Sequence, residues 1–309
     1  MKAFHHLLLL LAVALLPSAV DAANPVISEW PVPWEDTRPR DPAVDANGNV
    51  WFVGQRGDYI ASLDPKTGKF NRFELEKGTG PHNLIVDNRG VWFAGNRKGY
   101  IGLLNPATRS IRKFPMPDSE AKDPHTLTFD AEGDIWFTLQ ASNMVGKLET
   151  ATGKVYLARL TTPGSRPYGI VIDSKGKPWF NEFGTNKIGT IDPATMKVRE
   201  YTLPNSGARG RRIEVGTDGT VWYVDYARGT LARLDPASGA VREWETPSGS
   251  GSLPYAMARG ASGTMWLVET GPQPNRLIGF DPRTSKFVAS AEVPSGGSTV
   301  RHMIYHAPS

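Results

Sequence analysis

The chain contains no cysteine among its 309 residues, so no disulfide and no thiolate metal site can contribute, and stability has to come from packing alone. Charge is sparse and unblocked. The formal net charge is only +4 and the basic residues are scattered, which argues against a nucleic-acid groove and suggests at most an anionic or polar ligand. Helical periodicity is almost absent. Past the N-terminus no apolar run is long enough for a membrane helix, which argues against a membrane partner. The one long apolar run, Leu7 to Leu16, follows Lys2 and two histidines and precedes Val20 and Ala22, small residues at the two positions a cleavage site requires. This predicts a signal peptide over residues 1–22 and one domain over residues 23–309, a soluble monomer in the periplasm or outside the cell.

What the chain does have is repetition. The stretch DPHTLTFDAEGDIWFT, residues 123–138, shares its grammar with residues 80–94, 166–181 and 253–268. Trp51, Trp92, Trp136, Trp179, Trp222 and Trp266 follow one another at intervals of 41, 44, 43, 43 and 44 residues. Each copy reads as an apolar run, a D-x-x-G turn, a Trp-aromatic or Trp-Leu strand, an I-G-x-x-D strand and a closing strand such as Glu200 to Leu203. Period-two alternation between Gly, Asp and Asn turns makes these β-strands. Asp-Pro-x-Thr/Ser segments such as Asp64 to Gly68 supply the hairpin between the third and fourth strands. Four antiparallel strands every ~40 to 45 residues predict an all-β propeller whose Trp-Phe pairs wedge between neighbouring blades.

Six complete units run from about Pro42 to Val293. The remaining Ile27 to Pro33 resembles a fourth strand and Arg301 to Tyr305 a first strand. The expected design is therefore seven-fold with an incomplete last blade, the alternative being a six-bladed ring.

Counting five residues back from each turn places Arg40, His82, His125, Tyr168, Arg211, Tyr255 and Arg301 at one repeated position, the mouth of the central channel. A propeller does not require His, Tyr and Arg there, so the ring reads as a binding surface for a small molecule. A second ring, three residues after each Trp, carries Glu182, Asp225 and Glu269 on successive blades. Carboxylates on one arc, with histidines and amides on the other, suit a hard divalent cation beside a base. The bland readings are that the histidines are hydrogen-bonded channel residues and that the acids pair with arginines across it. The segment Gly207 to Arg212 reads as a flexible loop whose charge could steer an anion to this face.

The units P-H/Y-x-I…D-x-x-G-x-x-W-F…N-x-I-G-x-x-D…E-Y-x-L-P, clearest at Pro167 to Pro204, resemble the repeats of the virginiamycin B lyase (streptogramin lyase) family over nearly the whole chain past residue 22. The resemblance implies elimination at an ester of a cyclic depsipeptide-like substrate. A histidine removes the proton α to a carbonyl, Mg²⁺ stabilises the enolate-like charge, and the carboxylate leaves. It maps the base onto His125 in Asp123-Pro124-His125, substrate contact onto His82 in Gly80-Pro81-His82, and the metal positions onto Asp123 and the neutral Gln140. The pair sits on the second and third repeats instead of the last two. Arg40, Tyr168, Arg211 and Tyr255 complete the expected substrate surface, and a carboxylate two residues before His125 would stabilise its imidazolium near neutral pH. Two other functions fit the same fold: a metal-dependent lactonase using Glu182, Asp225 and Glu269, and a non-catalytic propeller presenting its ringed face to a protein or carbohydrate.

Overall fold

The computed structural model describes residues 24–307, so the expected signal peptide lies outside it. Six four-stranded antiparallel sheets follow one another in chain order, each pairing its strands strictly in sequence, and together they form a propeller ring. The blades run from Pro39 to Glu74, Leu84 to Pro115, Pro124 to Arg159, Pro167 to Thr202, Gly210 to Glu245 and Pro254 to Glu292. The blade count is thus the alternative's six. Neither leftover segment forms a strand: residues 27–33 and 301–305 are joined to no sheet. Among the described residues no helix is long and apolar enough to cross a membrane.

The repeat grammar has a local cause. In four blades the turn aspartate accepts the indole N–H of the tryptophan that follows: Trp51 to Asp45 at 2.8 Å, Trp92 to Asp87 at 3.2 Å, Trp136 to Asp130 at 3.0 Å and Trp179 to Asp173 at 2.9 Å. The fifth blade has Gly216 at the aspartate position, and Thr220 Oγ1 takes the indole instead. The I-G glycine is equally specific. A Cβ on Gly102, Gly146 or Gly189 would sit 2.2 to 2.3 Å from the ring of Phe93, Phe137 or Phe180, so each Phe lies flat across the neighbouring strand only because the glycine has no side chain.

Those aromatics fill the wedges between blades. Trp51 shares an apolar cluster with Leu84 and Phe93 of the second blade, Trp92 with Leu127 and Phe137 of the third, and Trp136 with Ile170 and Phe180 of the fourth. Trp179 does so with Ile213 and Tyr223 of the fifth, and Trp222 with Met257 and Leu267 of the sixth. A sixth cluster breaks the pattern: Phe52, Tyr59 and Ala61 of the first blade pack against Val32 and Trp34 of the N-terminal segment. That segment also reaches the last blade, where Asn24 Oδ1 accepts from the Ser290 N–H and the Glu29 carboxylate accepts from Ser295. It therefore clasps the last blade to the first.

The C-terminal segment occupies the seventh inner position. A cavity of about 350 Å³ along the channel is lined by the first strands of all six blades and by His302 to Tyr305. At its upper end Asp41, fully buried, accepts from Asn83 Nδ2 at 3.1 Å and pairs with Arg212 at 3.4 Å and Arg40 at 3.3 Å. Arg212 Nε in turn donates to the Arg301 carbonyl at 3.0 Å. Blades one, two and five and the C-terminal segment thus meet at one carboxylate. Burial opposes its charge, but Arg40 and Arg212 hold it well below the usual carboxylate range.

Two stability outcomes follow from these contacts. Removing residues 24–34 should lower Tm by at least about 5 °C, because Trp34 alone fills a wedge of the kind whose truncation costs several kcal/mol; an unchanged melting curve would rule out the clasp. Asp41→Ala strips the counter-charge from two buried guanidinium groups and should cost about 3 to 5 kcal/mol by chemical denaturation, whereas a loss under 1 kcal/mol would mean that water compensates them.

Candidate functional site

Backbone irregularity aims the mouth side chains. In every blade but the second the pairing of the first strand slips, between Arg40 and Ala43, Pro124 and Leu127 (around His125), Pro167 and Ile170, Gly210 and Ile213, and Pro254 and Met257. Arg40, Tyr168, Arg211 and Tyr255 all fall at or within these bulges, which turn their side chains out of the pleat toward the channel mouth. Two residues earlier the chain often adopts positive φ, as at Arg38 (54°), Asp123 (54°) and Arg166 (52°). Of the segment Gly207 to Arg212, expected to be a loop, residues 207–209 lie outside the strands, while Gly210–Val215 is the first strand of the fifth blade, with Arg211 lining the mouth and Arg212 the cavity below it.

The mouth encloses a cavity of about 490 Å³. All seven residues expected at the repeated position line it, together with Gln55, Asn96, Gln140, Phe183, Tyr226 and Thr299. Arg38 and Arg166, which spacing alone did not single out, also line it, so five guanidinium groups face a cavity to which Asp123 contributes the one carboxylate among the described lining residues. The position one residue beyond each mouth residue forms a second, deeper ring containing Asp41, Asn83, Thr126, Arg212 and His302. Opposite charges at Asp41 and Arg212 in the same register were the available signal for it.

His82 and His125 stack with ring centroids 3.4 Å apart, and His125 lies 4.4 Å from the ring of Tyr168. His125 Nδ1 is 3.0 Å from Thr126 Oγ1. Burial, then the neighbouring His82 and Arg40, push the His125 pKa well below the ordinary imidazole value. Burial and Arg40 do the same to His82. Both imidazoles are therefore neutral at neutral pH. Tyr168 and Tyr255 share a hydroxyl–hydroxyl hydrogen bond, and Arg211 Nη1 donates to the Tyr255 hydroxyl at 3.1 Å. The Arg211 guanidinium is enclosed by Phe183 at 3.6 Å, Tyr226 at 4.4 Å, Tyr255 at 4.7 Å and Tyr168 at 5.3 Å from the ring centroids, a cation held by aromatic faces.

The expected acid partner of His125 is engaged elsewhere. Asp123 Oδ2 accepts the Ala141 N–H at 2.8 Å and Oδ1 accepts from Ser142 at 3.3 Å, and burial raises its pKa. It ties down a loop and leaves the imidazolium unsupported, so a near-neutral pKa for His125 is not what the surroundings produce. The acidic arc is not assembled either. Glu182, Asp225 and Glu269 are fully buried behind the mouth wall and none lines the cavity. Asp225 accepts the backbone N–H of Arg209 at 3.0 Å, and Glu269 accepts the Ser248 N–H at 2.8 Å and its hydroxyl at 2.6 Å. Glu182 accepts from Thr185, and burial raises its pKa to about 7. At the end of each second strand these carboxylates satisfy loop donors that would otherwise be buried without partners.

A magnesium ion does not suit these residues. Of its two expected ligands Gln140 is neutral and Asp123 already serves a loop, and among the described residues no group of three or more His, Asp or Glu is placed to hold a metal. Five guanidinium groups around the cavity would also repel a divalent cation.

Residues 86–288 match the Virginiamycin B lyase family. No curated protein matches the sequence. Among solved structures, a streptogramin B lyase is 28% identical, with 90% of each chain covered and a TM-score of 0.80. A catalytically inactive virginiamycin B lyase from Staphylococcus aureus, solved with quinupristin, is 26% identical over 84% of this chain and 86% of its own, with a TM-score of 0.74. The selenomethionine-substituted form of the Staphylococcus aureus lyase, at 24% identity and a TM-score of 0.78 over 88% of this chain and 90% of its own, agrees in fold. With the repeat grammar and a matched stretch of about two thirds of the sequence in accord, the chain belongs to the virginiamycin B lyase family.

Proposed function

We propose that the protein is an exported carbon–oxygen lyase that opens an ester or lactone by elimination at the channel mouth, with His125 as the base. The observation that carries this reading is the stacked pair of neutral imidazoles on adjacent blades, set beside cationic side chains where an elimination site needs them. In the tautomer that protonates Nδ1, that nitrogen donates to Thr126 Oγ1, 3.0 Å away, and the lone pair on Nε2 takes the proton α to the substrate carbonyl. The C–H electrons form the new C=C bond, the β C–O bond breaks, and its electrons leave on the carboxylate. Negative charge that gathers on the carbonyl oxygen meets fixed guanidinium groups, with Arg211 already desolvated by its aromatic neighbours. His82 supports the ring of His125 and offers a surface to substrate. The hydrolytic lactonase reading loses its basis with the dispersal of Glu182, Asp225 and Glu269.

The test is ring opening of a cyclic depsipeptide ester. Elimination gives a product of unchanged mass with a new C=C absorbance, whereas hydrolysis gives one heavier by a water. His125→Ala should lower kcat by ~10² to 10⁴, and His82→Ala should act mainly on KM. Wild-type turnover by His125→Ala would eliminate this assignment. The pH profile follows from the direction of the pKa shift: a base with a lowered pKa stays deprotonated as pH falls, so the acid limb of kcat/KM should lie below the ~6.5 of a free imidazole. A limb at or above that value would point to a different group.

A further inference from the structure

We propose that the substrate carries an anionic oxygen-rich group, a carboxylate, sulfate or phosphate, and that Arg38, Arg40 and Arg301, with Arg211 opposite, form its seat. This deepens the elimination reading above and rests on it for the identity of the reacting end, but the binding claim stands on its own geometry.

Three observations converge on the site. First, the charge is mostly uncompensated. Five arginines line the cavity against one aspartate, and among the described residues only Arg40 of the five makes an ion pair, with Asp41. Second, the arginines crowd one another. Burial, then the neighbouring Arg40, Arg301 and Arg56, lowers the pKa of Arg38, so part of the shift is cation–cation repulsion. Third, donors are left over inside the wall. The Arg40 side chain is only 6% exposed and its Nη2 has no partner, although Nη1 is used by Gln55 and Nε by Asp41; Arg211 Nε is likewise buried and unpartnered. A buried donor without an acceptor is costly and calls for one.

Guanidinium groups match such oxygens because they offer paired N–H donors in a plane and cannot lose their charge. The surrounding polar groups, Gln55, Asn96, Thr299 and the Tyr226 hydroxyl, can bind the rest of a small organic anion. This arrangement also accounts for the poor fit of a divalent cation. Charge that a metal would neutralise is met by arginine, so the substrate class differs from a neutral ester.

The experiment uses the protein from residue 23 onward, with inorganic phosphate, sulfate and citrate as separate probes titrated by calorimetry and thermal shift at low and high NaCl. Arg38→Gln and Arg301→Gln are the informative variants, because removing a repelled, unpaired cation should leave the unliganded Tm unchanged or raised. The expected result is saturable binding of at least one probe, indifferent to EDTA, weakened by salt and weakened roughly tenfold by each substitution. Preference for citrate identifies a carboxylate, and preference for sulfate or phosphate a tetrahedral anion. Binding of no probe, or binding that both variants retain unchanged, overturns the proposal. Anion binding in a protein that opens no ester would sink the elimination reading and leave this one standing. Turnover of a neutral ester with the same kcat/KM in both variants would do the reverse.

Discussion

The ring is organised around one buried charge. Asp41 sits where the first strands converge, and its carboxylate gathers Arg40 from its own blade, Asn83 from the next, and Arg212 from across the channel, while Arg212 secures the C-terminal segment through the Arg301 carbonyl. At 3.4 Å and an effective dielectric near 20 the Asp41–Arg212 attraction is about 5 kcal/mol. Desolvating each ion costs several kcal/mol. The network therefore contributes little net stability, and its role is to fix position. A ring of six blades needs something to hold its seventh inner place, and a charge that tolerates no other partner does so with a defined register. Arg40, which serves Asp41, also lines the mouth, so the constraint that closes the ring also shapes the site.

Closure uses the two ends of the chain differently. The N-terminal segment is an apolar clasp, with Trp34 in a wedge that elsewhere is filled by the Trp of a preceding blade. The C-terminal segment is a polar plug: burial and Arg212 lower the pKa of His302 to about 3, keeping the ring neutral beside Asp41. Neither end contributes ladder hydrogen bonds, which is why a fourth-strand-like and a first-strand-like sequence did not become a blade. A strand needs a neighbour whose N–H and C=O groups it can pair, and the described residues offer neither segment such a partner.

The sequence displayed the fold because each repeat writes its own tertiary contact: the turn aspartate and the tryptophan it binds are five or six residues apart, and the I-G glycine marks where Phe crosses. These are local relations with a fixed period. The mouth ring was legible for the same reason, since a single register position lines one channel. What could not be read was direction. Glu182, Asp225 and Glu269 occupy equivalent positions and appear as an arc in register, yet each turns back to satisfy loop donors near its own blade. Asp123 is two residues from His125 but its carboxylate serves Ala141 and Ser142. Adjacency in sequence fixes where a Cβ starts and leaves open which unsatisfied N–H claims the carboxylate.

That distinction bears on how this site departs from a metal-assisted one. An oxygen-ligated cation needs several carboxylates converging on one point, and here the buried acids are held apart, each by hydroxyl, backbone or guanidinium donors near its own blade. Arginine, by contrast, can surround a cavity without converging on a point, because each group supplies several donors and keeps its charge when partly buried. The cost is mutual repulsion, visible at Arg38, together with donors on Arg40 and Arg211 that the protein itself leaves unpaired. An anion is the species best able to relieve that repulsion and to meet those donors. Electrostatics of this kind favours a ligand whose negative charge is present before the reaction as well as during it.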